Sequence, residues 1–230
     1  MLNAQEMKKQ AAEYSLQYVE DGMTLGLGTG STVAFLLDAL GEKVQSGELK
    51  NIKTVSSSTA TTEIARSKGI EVLNLNEVEN VDLSIDGADE VNPQLIGIKG
   101  GGGALLYEKV MAINSERNIW IVDESKLVET LGKFPLPVEV VKYGHTHLLQ
   151  LFAELGYKPQ LRYIDEAAKT PQVTDDGNYI IDLHLEEIDD PRSLERELNC
   201  NIGVVENGLF IDIADKVIVG GQKGIREING

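Results

Sequence analysis

The chain has 230 residues, of which 42% are hydrophobic and 25% charged, and its 37 acidic and 21 basic side chains leave a formal net charge of −16. That length can bury a substantial core in one large domain or two small ones, and the acidic balance excludes non-specific binding to nucleic acid or to an anionic membrane. The single cysteine, Cys200, excludes an internal disulfide and suits a reducing compartment.

The first segment, MLNAQEMKKQAAEYSLQYV, reads as an amphipathic helix and lacks the continuous apolar stretch of a signal peptide. Nothing later approaches the ~20 apolar residues of a membrane span, so the expected location is the cytoplasm. Short apolar strands are expected at 23–27, 52–55, 81–85 and 118–122, alternating with helices at 33–40, 61–67 and 104–113. Such alternation predicts a mostly parallel, Rossmann-like sheet covered on both faces. Two prolines in Lys133-Phe134-Pro135-Leu136-Pro137 then interrupt the pattern.

Beyond them the sequence predicts a strand at 138–142, an apolar helix at 148–155 and a strand near 160–164. Asp175-Asp176-Gly177 is a turn signal for a hairpin between 171–174 and 179–185. Asp190-Pro191 has the form of an N-cap and first helical residue, opening a helix to Leu198. This βαββαβ-like order describes a small α+β, ferredoxin-like unit. The last strands, 208–213 and 217–219, are expected to return to the first sheet. The fold class is therefore α/β, with a catalytic domain at 1–132 plus about 206–230 and a small domain at about 133–205 inserted near the C-terminus.

Ligands of open α/β sheets bind at the carboxyl ends of the strands, and four strands end unusually. Gly26-Leu27-Gly28-Thr29-Gly30-Ser31-Thr32 offers backbone amides and hydroxyls at a helix N-terminus, which suits a phosphate but equally suits a capped tight turn. It is neither a Walker A loop nor G-x-G-x-x-G. Ser56-Ser57-Ser58-Thr59-Ala60-Thr61-Thr62-Glu63 resembles a capping box and offers further hydroxyl donors. Ser84-Ile85-Asp86-Gly87-Ala88-Asp89-Glu90 places three carboxylates within five residues, without the ligand spacing of an EF-hand and with no Cys or His nearby, so no metal is expected. Glu90 reads as structural or solvated. In Lys99-Gly100-Gly101-Gly102-Gly103 four glycines carry a large entropic cost, reasonable where backbone must approach a ligand. The apolar helix that follows carries Glu108 between Leu105 and Ala112, surroundings that require a partner or raise the pKa as a general base needs. Lys126 follows the next strand. His145 and His147 have no third ligand in view, and Cys200 reads as a packing residue.

Phosphate cradles, a lysine, a buried glutamate and two aspartates suit proton transfer beside the carbonyl of a sugar phosphate. Glu108 fits the carbon base, Lys99 and the amides of Gly100–Gly103 fit the enediolate donors, Asp89 fits the oxygen acid/base, and Asp86 fits assistance to ring opening.

The segments GLGTGST (26–32), SSSTATTE (56–63), DGADEVN (86–92), IKGGGGALLYEK (98–109), DESK (123–126) and GKFPLPVEV (132–140) occur in the order found in ribose-5-phosphate isomerases of type A, which this chain closely resembles. The resemblance implies interconversion of ribose 5-phosphate and ribulose 5-phosphate in the pentose phosphate pathway, with no metal and no cofactor. It implies phosphate or substrate contacts by Thr29, Gly30, Ser31, Thr32, Asp86, Gly87, Ala88, Asp89, Lys99, Gly100, Gly101, Gly102 and Lys126, with Glu108 as proton acceptor. It further implies a homodimer or homotetramer assembled through the small domain. Gly103 departs from the family, where alanine often follows three glycines, and Tyr107 is not a fixed feature. The rival readings are an amino-sugar-phosphate isomerase/deaminase, which is expected to bring a histidine to the site although none precedes His145, a CoA transferase whose nucleophile Glu108 would imitate, and a sugar-phosphate sensor, for which no basic output module is present.

Overall fold

The computed structural model describes Met1–Gly230 and divides into two compact units. One comprises Met1–Ala88, Tyr107–Leu127 and Asp212–Gly230; the other comprises Asp89–Leu106 and Val128–Ile211. In chain order the elements begin with α1 (Ala4–Ser15), β1 (Thr24–Leu27), α2 (Ser31–Gln45), β2 (Lys53–Ser56), α3 (Thr59–Ser67), β3 (Leu83–Asp86), β4 (Glu90–Val91), β5 (Gly97–Ile98), α4 (Leu105–Ile113) and β6 (Asn118–Asp123). They continue with β7 (Leu136–Val140), α5 (His145–Glu154), β8 (Pro159–Leu161), β9 (Tyr163–Asp165), β10 (Thr170–Pro171), β11 (Tyr179–Leu183), α6 (Pro191–Asn199), β12 (Val204–Asn207), β13 (Leu209–Phe210), β14 (Lys216–Gly221) and β15 (Gly224–Asn229).

The first unit is built on a six-stranded sheet of order β15-β14-β6-β3-β1-β2, parallel except for the terminal hairpin of β14 and β15. Its inner strands β1, β3, β6 and β14 are buried along almost their whole length, as a parallel sheet covered by helices requires. Leu25, Leu27, Leu83, Ile85, Ile121 and Ile218 pack with Leu36, Leu37 and Leu40 of α2 in one core. Asn3 caps α1 through the Glu6 amide, and Glu6 returns the bond to the Asn3 amide, a capping box that fixes where the chain enters.

The second unit contains a four-stranded antiparallel sheet of order β12-β7-β11-β8. With α5 and α6 this is a βαββαβ arrangement, and Leu136, Val138, Val140, Phe152, Ile181, Leu183 and Leu198 form its core. A smaller sheet joins β4, β5 and β13.

Three sequence expectations are corrected. The turn at Asp175–Gly177 is present, with Gly177 N–H donating to Thr174 O at 2.9 Å, but no hairpin ladder follows. β11 is already flanked by β7 and β8, so Thr170–Pro171 pairs with β9 instead. Of the last strands, β14 returns to the first sheet beside β6, whereas β13 pairs with β5 in the second unit. Cys200 is also exposed rather than packed, at the C-cap of α6.

Candidate active site

β1, β2 and β3 run parallel and in register, with Leu27 beside Ser56 on one side and Ile85 on the other. The chain leaves β1 for β2 and later returns on the opposite flank as β3. The β1/β3 pair is thus the topological switch point, where ligands of open α/β sheets bind.

Here the loop after β1 meets the end of β3. Asp86 is buried, and its Oδ1 accepts from Thr29 N at 3.0 Å and from Gly87 N at 2.7 Å. Gly28 donates its amide to Ile85 O at 3.0 Å, and a Cβ at Gly28 would fall on the Asp86 carboxyl. Thr29 Oγ1 lies 2.8 Å from Ser58 Oγ and 3.0 Å from Thr61 Oγ1, while Thr61 Oγ1 donates to Gly28 O at 2.9 Å. The hydroxyl-rich start of α3 therefore braces the β1 loop. Ser58 is the N-cap and its partner is the Thr61 amide, so no glutamate completes the capping box suggested by the sequence.

α2 opens at Ser31 after Gly30, whose φ of 100° is costly for any residue with a side chain, and no side chain caps the helix. Its first amides and the positive end of its dipole face outward, an arrangement suited to an anion. Lys8 of α1 adds a full charge, donating from Nζ to Ser31 Oγ at 2.9 Å. Sequence reasoning missed this lysine. It belongs to a Lys8-Lys9 pair on an amphipathic helix, and nothing local distinguishes it from a solvated surface charge.

Glu108 also belongs to the first unit. α4 approaches β1 where Gly26 has no side chain; a Cβ there would sit 3.0 Å from Met111 Sδ. Glu108, one turn before Met111, is 3% exposed, on a helix face shared with buried Leu105 and Ala112, as the sequence predicts. Tyr107, Val110 and Ile113 occupy the exposed side. α4 links the parallel strands β3 and β6, so its N-terminal turn, with Glu108, lies toward the carboxyl ends of those strands. Lys126 is half-buried in the turn after β6, a turn capped by Asp123 through the Ser125 amide at 3.0 Å.

The second unit holds the other predicted residues. Asp89 donates its amide to Ile98 O at 2.8 Å, and its Oδ2 accepts from Gly101 N at 2.8 Å. Lys99 is 3% exposed, with Nζ 5.2 Å above the Phe210 ring and its amide bonded to Gly208 O at 2.9 Å. A Cβ at Gly101 would lie 2.8 Å from Asp89 Oδ1 and 3.0 Å from Phe134, so the loop tolerates no side chain there without a shift. Glu90 has a different duty from its neighbours. It is buried, and its two oxygens accept from Gly132 N and Phe134 N, each at 2.7 Å, fixing the loop before β7. No three His, Cys, Asp or Glu side chains gather in a metal-binding arrangement. His145 instead contacts Lys142 O at 2.9 Å and stacks edge-on to Tyr179.

Comparison with known proteins gives a consistent result. Residues 53–224 match the profile of the family described as ribose 5-phosphate isomerase A (phosphoriboisomerase A). A ribose-5-phosphate isomerase A from Lacticaseibacillus paracasei is 49% identical over 223 residues, covering 97% of this chain and 96% of its relative. A solved D-ribose-5-phosphate isomerase in complex with phospho-erythronic acid superposes with a TM-score of 0.96 at 42% identity, covering all of both chains. The ribose 5-phosphate isomerase A of Methanocaldococcus jannaschii gives a TM-score of 0.91 at 39% identity, over 97% of this chain and 98% of that one.

Proposed function

We propose a division of labour from one premise: this chain belongs to the ribose 5-phosphate isomerase A family and interconverts ribose 5-phosphate and ribulose 5-phosphate. The phosphate is taken by the open start of α2, through Gly30, Ser31 and Thr32, with Thr29, Lys8 and Lys126 supplying further donors and charge. The summed field of the chain repels an anion, so these local donors carry the binding. Asp86, fixed by two amides, assists opening of the sugar ring. Gly87 and Ala88 contribute backbone contacts to the substrate.

Glu108 removes the proton from the carbon beside the carbonyl of ribose 5-phosphate and returns it to the neighbouring carbon. Glu108 is buried on α4, so bulk water is kept from the carboxylate that takes the proton. Lys99 and the amides of Gly100 and Gly102 stabilise the negative oxygen of the enediolate, while the Gly101 amide holds Asp89, which carries protons between the two oxygens. The reaction uses no metal and no organic cofactor. The observation that carries these assignments is the burial of two charged side chains, Glu108 in the first unit and Lys99 in the second, each 3% exposed. Phospho-erythronic acid, held by the similar enzyme, is a phosphorylated sugar acid, the class of ligand these donors select.

The deciding experiment is conversion of ribose 5-phosphate to ribulose 5-phosphate by the purified protein, before and after prolonged EDTA treatment. Full activity in both supports the scheme; activity lost to EDTA and restored by a divalent ion overturns its metal-free part. The enzyme acts as a homodimer or homotetramer in the cytoplasm. Exposed apolar residues on the second unit, Tyr143 and Ile202 among them, support self-association, and light scattering of the purified protein reads the state directly. No helix is long and apolar enough to cross a membrane.

A further inference from the structure

Arg162, between β8 and β9, was not singled out by any sequence motif. Its backbone is held on both sides, the amide donating to Ile180 O and the carbonyl accepting from Gln172 N, each at 2.9 Å. Its guanidinium forms a fork with the Asp182 carboxylate, Nε to Oδ2 at 2.7 Å with Nη2 on Oδ1, and the two side chains are only 13% and 16% exposed. The remaining nitrogen, Nη1, donates to Gly100 O at 2.9 Å and to Gly101 O at 3.1 Å.

A largely buried ion pair offsets its desolvation only if its other hydrogen-bonding groups are used. Here they are used on two consecutive carbonyls of a four-glycine run that would otherwise sample many conformations. The peptide unit is planar, so fixing Gly100 O fixes the direction of the Gly101 N–H. That N–H donates to Asp89 Oδ2 at 2.8 Å. Fixing Gly101 O sets the Gly102 N–H in the same way.

We propose that Arg162 is a positioning residue for the isomerisation, held by Asp182 and acting through the Gly100–Gly101 peptide on Asp89. The connected groups are the Asp182 carboxylate, the Arg162 guanidinium, the Gly100–Gly101 peptide and the Asp89 carboxylate. The cation also draws electron density toward the carbonyl oxygens, which strengthens the amides as donors. The proposal rests on the assignment of Asp89 as the oxygen acid/base.

The test is a double-mutant cycle in the isomerase assay, with the unmodified protein measured first. Arg162→Gln is expected to lower kcat about 10- to 100-fold, the size of a lost charge-assisted hydrogen bond. KM should change less than about threefold, because the phosphate-holding residues are untouched. In an Asp89→Asn background the same substitution should cost less than about twofold, because the two residues act as one unit. Effects that multiply instead, or a wild-type kcat in Arg162→Gln, overturn the proposal. Arg162→Lys keeps the charge without the fork and carries the test if the glutamine variant does not fold. A loss smaller than that of Arg162→Gln, about three- to tenfold, is expected there, and a wild-type kcat overturns the proposal. An inactive unmodified protein would instead fail the functional reading itself, before any variant is compared.

Discussion

The loop after β1 and the loop after β5 are both rich in glycine, yet they are built in opposite ways. In the first, hydroxyls of Ser58 and Thr61 and the Asp86 carboxylate hold the loop from behind, and the amides of α2 are left facing outward. In the second, the carbonyls are gripped, and the Gly101 amide is spent on the side chain of Asp89. An outward helix end attracts an anion without defining an atom-by-atom geometry. A loop pinned at its carbonyls and amides defines such a geometry. The first loop should therefore be read mainly in KM, and the second, with Glu108 downstream of it, mainly in kcat.

The largest effect should come from Glu108→Gln. The amide fills the same space and cannot accept the proton, so kcat should fall by about 10²–10⁴-fold, the usual worth of a general base, with substrate binding retained. Isothermal titration with ribose 5-phosphate beside single-turnover kinetics separates the two, and substantial turnover removes Glu108 from its role. Next comes Gly101→Ala, whose Cβ would press on Asp89 and Phe134. It should cost kcat about tenfold, with inhibition by inorganic phosphate unchanged; a rise in KM alone would erase the distinction between the loops. Lys8→Ala should do the reverse, raising KM about three- to tenfold at low salt with kcat kept, and mattering less in high salt as screening replaces the lost charge. A salt-independent loss of kcat would place Lys8 elsewhere.

Legibility in the sequence follows how local each feature is. Apolar runs and turn residues mark β1, β2, β3 and β6, and the 100° periodicity of α4 places Glu108 on a buried face. Lys8 and Arg162 were illegible because they serve loops 23 and about 60 residues away, and neither carries a local pattern of its own. The false hairpin failed for a related reason: the turn chemistry at Asp175–Gly177 is local, but the choice of partner for β11 is not. Glu90 and Asp89 are adjacent in sequence and differ entirely in duty, one bonded to the amides of Gly132 and Phe134, the other to Gly101. Composition predicts three clustered acids there, and only the fold divides them.

The smallest effect tests the support beneath the second loop. β7 lies under that loop, since Pro137 O accepts from Gly208 N at 2.8 Å and Gly208 O holds the Lys99 amide. β7 also carries Glu139, which is buried. Its Oε1 accepts from Thr174 and Asn178, and its Oε2 has no partner. Glu90, equally buried, has a donor on each oxygen. Burial therefore pushes the Glu139 carboxyl above its ordinary value of 4.5, against the lowering effect of Asn178 and Thr174. An acid whose pKa is raised by folding favours the native state most when protonated. Its contribution is fully present below the unfolded pKa and is lost as pH rises from about 4.5 through the raised value. Glu139→Gln keeps the acceptor for Thr174 and Asn178 and removes the charge. It should raise Tm by a few degrees at pH 8 (about 2–4 °C for each kcal/mol at this chain length), and much less at pH 4. KM should be unchanged at both pH values. Thermal melts across pH 4–8 check this, and a variant whose pH dependence matches the parent would show that Glu139 is solvated in solution.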